Sequence, residues 1–229
     1  MKKHMLLVIG SLLLASLACS YVSRLVGGDN PVPAAPEQPS NVLFQDDFSN
    51  PSSGWDQFSD VDGLTNYENG VYRIRIDKPD FTFWANPGLD GILPSDVRIE
   101  VDATKAGGPD FNDFGIICRY SGLGGQASFY EFIISSDGFA GIVLVTENSQ
   151  QLISGDGELQ PFDAIRQGSA TNRIQAECSG SQLTLYVNGV VLTSVSDTTL
   201  ANGDVGLLAS TYDEAGVDIL FDNFFVTVP

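Results

Sequence analysis

The chain has 229 residues, with 29 acidic against 11 basic side chains, a formal charge of −18 and a single histidine. Such acidity does not suit nucleic acid or an anionic membrane surface as partner, because phosphate binding requires clustered Lys and Arg. The one histidine is His4, in a segment expected to be removed, so Ser-His-Asp and Cys-His mechanisms are excluded from the remainder and the commonest zinc ligand is missing. Carboxylate, tyrosine or lysine chemistry is what remains.

The first element is an address. Met1-Lys2-Lys3-His4 is a short basic start, and residues 5–18 form an apolar run below the roughly 20 residues that a spanning helix needs. The run ends in Leu14-Ala15-Ser16-Leu17-Ala18-Cys19. This resembles a bacterial lipoprotein signal, with residues 1–18 removed and Cys19 lipidated as the new N-terminus. Ser16 stands where that signal usually has Leu. Loss of Lys2 and Lys3 takes the charge to −20. Residues 19–40 carry Pro31, Pro33, Pro36 and Pro39 among Gly, Ala and Gln, a composition that stays extended and cannot bury a core. The expectation is a protein exported and lipid-anchored at the bacterial cell surface or envelope, touching the membrane only through its anchor.

Residues 41–229 have the length of one all-β domain. Short β-rich runs alternate with Gly, Asp, Asn and Ser turns about every ten residues, the pattern of an antiparallel two-sheet sandwich or jelly roll. Val71-Tyr72-Arg73-Ile74-Arg75-Ile76 alternates strictly, as does Val97-Arg98-Ile99-Glu100-Val101-Asp102 with its acids outward. Trp84 ends a strand just before a loop. Strands are expected at 114–120, 127–135 and 139–146, the last two joined by Ser136-Asp137-Gly138. A hairpin of 97–103 with 114–120 would bring Arg119 close to Arg98 and Glu100. Residues 161–166 have the makings of one helical turn. Runs at 173–178, 182–187 and 190–195 follow, the last two around Asn188-Gly189, a strong hairpin signal. Residues 217–228 close the sheet. Cys118 and Cys178 fall on core-facing positions, and with Cys19 lipidated they are the thiols left in an oxidising compartment. A disulfide between adjacent strands is expected.

Leu43-Phe44-Gln45-Asp46-Asp47-Phe48-Ser49 with Gly54-Trp55, and Glu68-Asn69-Gly70-Val71-Tyr72, resemble the opening strands of concanavalin A-like lectin/glucanase jelly rolls. Gly115-Ile116-Ile117-Cys118-Arg119-Tyr120, Tyr130-Glu131-Phe132, Gly203-Asp204-Val205-Gly206 and Phe221-Asp222-Asn223-Phe224 are similar to a bacterial surface-lipoprotein branch of that superfamily, grouped with 3-keto-disaccharide hydrolase-like domains. The resemblance implies the fold over most of 41–229. It also implies a structural calcium shared by Asp47, Asp222 and a backbone carbonyl near Gly70, hard oxygen donors that suit Ca²⁺.

Laminarinase-type members carry a Glu-x-Asp-x-x-Glu strand supplying nucleophile, helper and acid/base. Glu100 and Asp102 match its first two positions, but Lys105, or Thr104 in the shorter spacing, stands at the third. Hydrolysis here would therefore need its second acid from elsewhere, such as Glu131. Trp84 is the candidate platform for stacking a sugar, with Arg119, Glu131 and Arg98 as candidate polar contacts; Trp55 is assigned to the core. The function expected is a non-catalytic glycan-binding or surface-interaction module. A glycoside hydrolase-like enzyme of the same fold and a structural envelope protein are the alternatives.

Overall fold

A computed structural model of the chain describes residues 41–89 and 95–229. The expected signal peptide, Cys19 and the spacer lie outside the described residues. The first eight strands are β1 (Val42–Asp46), β2 (Phe58–Ser59), β3 (Gly63–Glu68), β4 (Val71–Ile76), β5 (Phe81–Ala85), β6 (Val97–Gly107), β7 (Asp113–Ser121) and β8 (Ser128–Ser135). There follow β9 (Phe139–Thr146), β10 (Ser149–Leu152), β11 (Gln160–Pro161), β12 (Thr171–Ser179), β13 (Gln182–Val187), β14 (Val190–Ser196), β15 (Asp204–Thr211) and β16 (Val217–Thr227).

They make two antiparallel sheets. A nine-stranded sheet runs β14-β13-β12-β6-β16-β4-β3-β2, with β1 also on β16; a seven-stranded sheet runs β10-β9-β8-β7-β15-β5, with β11 on β9. Alternation decides which side chains enter the space between them. Tyr72, Ile74 and Ile76 from β4, and Ile99 and Val101 from β6, face Phe114 and Ile116 of β7 and Tyr130, Phe132 and Ile134 of β8 in one apolar core. Asn188 and Gly189 turn the β13–β14 hairpin with φ of 52° and 81°, the left-handed pair that a type I′ turn requires.

Several expectations change. Strands β6 and β7 do not form a hairpin but lie in different sheets, β6 between β12 and β16 and β7 between β8 and β15. The crossing segment is pinned by Lys105, whose Nζ donates to Gly108 O at 3.0 Å and pairs with Asp110. Lys105 thus points inward at the strand end, away from Glu100 and Asp102. The Cys118–Cys178 disulfide is present, with Cα atoms 6.9 Å apart, yet it joins facing sheets and not neighbouring strands. Strand β16 is central in its sheet, flanked by β6 and β4. Residues 161–166 make a hydrogen-bonded turn, Ile165 N to Phe162 O at 3.2 Å, and no helix.

Trp55 packs in the core as expected. Its ring lies edge-on to Phe224 and Phe48, and its Nε1 donates to Asp46 at 3.0 Å. The buried Asp46 also accepts from Phe48 N at 2.8 Å and from Ser53 Oγ. This carboxylate fixes the turn after β1 and the aromatic cluster beneath it. Asp46→Ala leaves buried donors without an acceptor and is expected to lower unfolding free energy by about 2–4 kcal/mol. Asp46→Asn, which keeps one acceptor, should cost less; urea unfolding of both variants measures the difference.

Candidate functional site

The three central strands of the seven-stranded sheet, β8, β7 and β15, are buried on both faces. On the face away from the core, Ile117, Phe129, Ile133, Val143 and Leu208 form a second apolar cluster, with Trp84, Leu152 and Leu159 packed against it. Strand pairing lays these residues out in rows. Trp84 aligns with Leu208, then Gly115, Ile133 and Gly141 across five strands. The next row runs Gly206, Ile117, Glu131, Val143 and Leu152. Gly115 leaves the middle of the first row without a side chain, and a Cβ there would meet Phe132 O at 1.9 Å, so this position admits no other residue.

Over this floor opens a cavity of about 660 Å³ lined by apolar Trp84, Ile133, Val143, Leu152 and Leu159, and by polar groups including Glu131, Asp113, Gln150 and Tyr212. A smaller cavity of about 170 Å³ adjoins it, sharing Trp84, Glu131 and Gln150. Trp84 is half-buried, its ring tilted against Phe129 with centroids 5.7 Å apart. It holds a fixed orientation while leaving surface to the cavity.

Two carboxyls sit in the walls. Glu131 and Asp113 are each only 2% exposed. Gln150 Nε2 donates to Glu131 Oε2 at 3.3 Å, and the Tyr212 hydroxyl donates to Asp113 Oδ2. Asp113 Oδ1 is buried with no hydrogen-bond partner. Loss of water pushes Glu131 up to about 8, helped by the charge of Asp113 and opposed by the Gln150 bond. Burial likewise pushes Asp113 up to about 7, with the Tyr212 hydrogen bond opposing and Asp137 adding to the rise. The same carboxyls and its own burial raise the Tyr212 phenol.

Of the residues singled out from sequence, Trp84 and Glu131 meet in this cavity and the others lie elsewhere. Glu100 and Asp102 face outward from the nine-stranded sheet. There Arg173 holds Glu100 at 3.1 Å and Asp102 at 3.4 Å, in place of the Arg98 or Arg119 expected from the hairpin. Thr104 bonds Thr171 on that same sheet. Arg98 pairs with Glu177 at 2.5 Å. Arg119 does not share a face with Ile117. A bulge after Cys118 and a φ of 58° turn its guanidinium onto the carbonyls of Leu200 and Gly180 (both 2.8 Å) and of Ser95. It serves as a buried clamp between loops.

Strands β1 and β16 are neighbours, but Asp47 lies just beyond β1 and accepts from Ser49, while Asp222 pairs in register with Asp102. Gly70 sits in the β3–β4 turn with φ of 85°. Among the described residues no group of three or more His, Cys, Asp or Glu side chains is gathered to hold a metal. Asp113, Gln150 and Tyr212 were not legible as site residues. The signal available was a carboxylate two residues from Gly115 and four from Ile117, at the head of the apolar run Phe114–Cys118.

No known family's sequence profile matches the chain, and no curated protein matches it. Among solved structures it is similar to a β-glucanase of Bacillus licheniformis, at 10% identity and a TM-score of 0.57 over 83% of this chain and 100% of that one. The catalytic domain of an endo-1,3-β-glucanase (laminarinase) from Thermotoga petrophila RKU-1 gives 11% and 0.55, over 81% and 96%. A carbohydrate-binding module from Bacillus subtilis gives 15% and 0.50, over 76% and 96%. These likenesses define the fold. The chain is an antiparallel two-sheet jelly-roll sandwich, the architecture it shares with these carbohydrate-binding and glucanase structures.

The raised carboxyls set the sign of a pH effect. Between about pH 4 and pH 8 the folded state keeps protons on Asp113 and Glu131 that the unfolded chain has lost. Their contribution is therefore full below about pH 4 and is lost as pH rises through 7 to 8, each group giving a slope of up to about 1.4 kcal/mol per pH unit. Glu131→Gln should match wild type in thermal melts near pH 4 and exceed it near pH 8. Equal pH profiles would show that Glu131 ionises normally.

Proposed function

We propose that this domain binds a glycan in the cavity beside Trp84 and does not cleave it. The observation that carries the reading is the layout of that cavity: a fixed indole face at one side, an apolar floor at Ile133 and Val143, and hydrogen-bonding groups around the wall. An indole covers the apolar C–H face of a pyranose, while Gln150, Glu131 and Thr82 satisfy hydroxyls. Several similar structures are carbohydrate-binding or carbohydrate-cleaving proteins, which supports a glycan as the ligand class.

Binding is favoured over cleavage by the placement of the two acids. Retaining hydrolysis needs carboxyls about 5–5.5 Å apart, one of them ionised. Asp113 is opposite Ser135, and Glu131 is four residues further along β8 with Ile133 between them, so the two acids are not cross-strand neighbours. Burial also moves both carboxyls in the same direction, to about 7 and about 8, so the two are not split into one ionised and one neutral group. We further propose that the domain is displayed from the bacterial envelope through Cys19; the intersheet disulfide fits an oxidising compartment.

A glycan array with a parallel assay for new reducing ends tests the reading. The protein should retain at least one glycan without releasing reducing ends, and Trp84→Ala should weaken retention about tenfold, a loss near 1.4 kcal/mol. Turnover that disappears in Glu131→Gln would assign hydrolysis instead. For the anchor, a fatty-acid analogue should label the wild type in cells and not Cys19→Ser.

A further inference from the structure

Resting on the glycan-binding reading, we propose that the ligand is an amino sugar with a free, unacetylated amine, and that its ammonium group docks against the Asp113 carboxyl. The cavity has a one-sided charge inventory. Asp80, Asp113 and Glu131 line it, and no Lys, Arg or His does. Among the described residues every Lys and Arg is engaged elsewhere. Arg73, Arg75, Lys78, Arg98, Lys105 and Arg173 are ion-paired with acids outside the cavity. Arg119 and Arg166 are bound to backbone carbonyls. Lys78 also rests over the Phe81 ring at 3.6 Å, but its Nζ is held by Asp62.

Against that inventory stands one unmet acceptor. Asp113 is 2% exposed, its Oδ2 is taken by Tyr212, and its Oδ1 has no partner. A buried acceptor left unpaired is costly, and a buried carboxylate needs a compensating charge. No Lys, Arg or His lines the cavity to supply that charge, and in the free protein burial favours the protonated form instead; a cation entering the cavity would take the proton's place. An ammonium group supplies both a donor and a charge. Its position is also set. Trp84 aligns through Leu208 with Gly115, and Asp113 lies two residues from Gly115 on the same face of β7. Two strand spacings, about 10 Å, separate β5 from β7. A pyranose on the indole therefore directs its ring substituents across the cavity toward Asp113, with Glu131 adding negative potential from β8. Uronic and sulfated sugars meet the opposite field and are excluded.

The charged groups around Asp113 are Glu131 from β8, Asp137 from the β8–β9 turn, Asp80 ahead of β5 and the Tyr212 phenol after β15; β9 and β10 present Val143, Gln150 and Leu152, which do not titrate. All four neighbours are acids or a phenol; the Tyr212 hydrogen bond favours ionisation of Asp113, but no positive charge lining the cavity does. Binding of the ammonium then expels the protons that burial keeps on the carboxyls. Affinity should rise with pH through neutrality and fall once the amine itself loses its proton.

The test is an array carrying N-acetylated glycans of many linkages, printed before and after chemical de-N-acetylation, probed with the wild type, Asp113→Asn and Trp84→Ala. De-N-acetylated spots should bind at least tenfold more tightly than their acetylated parents. Asp113→Asn, nearly isosteric and checked by its melting temperature, should lose that preference, whereas Trp84→Ala should weaken both forms. No gain on de-N-acetylation, a gain that survives in Asp113→Asn, or equal competition by oligolysine would overturn the proposal. Acetylated or neutral spots bound through Trp84 with no gain would sink the ammonium alone and leave the glycan reading standing. No bound spot of any kind would remove both.

Discussion

Everything at the site depends on the two-residue period of the sheet. In β8, Tyr130, Phe132 and Ile134 enter the core between the sheets, so Phe129, Glu131 and Ile133 are delivered to the other face with no freedom to choose. The same holds for Phe114 and Ile116 against Asp113 and Ile117 on β7. Shifting either strand by one residue would put a carboxyl into the core, at a cost of several kcal/mol. The register that protects the core is thus the register that positions Glu131 and Asp113.

That coupling gives the cavity rigidity that a loop-built site lacks. Strand β7 is tied from its inner face to β12 by the Cys118–Cys178 bridge, and at the next residue Arg119 clamps the loops at Leu200 and Gly180. On the outer face, Leu152 and Leu159 pack close over Gly141, where even a Cβ would come within 2.6–2.7 Å of them. The carboxyls are consequently desolvated in the free protein, before any ligand arrives. Their raised affinity for protons is a consequence of the fold and not of a ligand's approach.

How far the sequence disclosed this can be followed residue by residue. The strict alternation at Val71–Ile76, the Asn188-Gly189 turn and the inward cysteines all carry local signals, and the corresponding strands, hairpin and disulfide are present. Alternation at Glu100-Val101-Asp102 also read correctly as an outward acidic face. It could not say which sheet that face belongs to, because β6 and β7 are separated by a crossing segment and not by a two-residue turn. Strands buried on both faces read as near-continuous apolar runs, and period is silent there. Asp113 opens such a run and looks like the end of a loop. Tyr212 reaches it from 99 residues away, a distance over which local pattern holds no information. Trp84 was legible because a large aromatic at a strand end before a loop is an economical way to present an indole face.

The same desolvation bears on what the site does with a sugar. A carboxyl that keeps its proton donates one hydrogen bond and accepts others, which suits a hydroxyl; an ionised one in the same place would need a partner charge. A glycosidase divides these states between two nearby acids, one neutral and one ionised. Here burial acts on both acids in the same direction, and four residues of strand hold them apart. In the binding reading proposed for this domain, the pair is used without that division. What it retains is sensitivity to the charge of whatever enters, since a cation can draw both toward ionisation and an anion cannot. An environment of that kind discriminates among ligands by the charge they carry into the cavity.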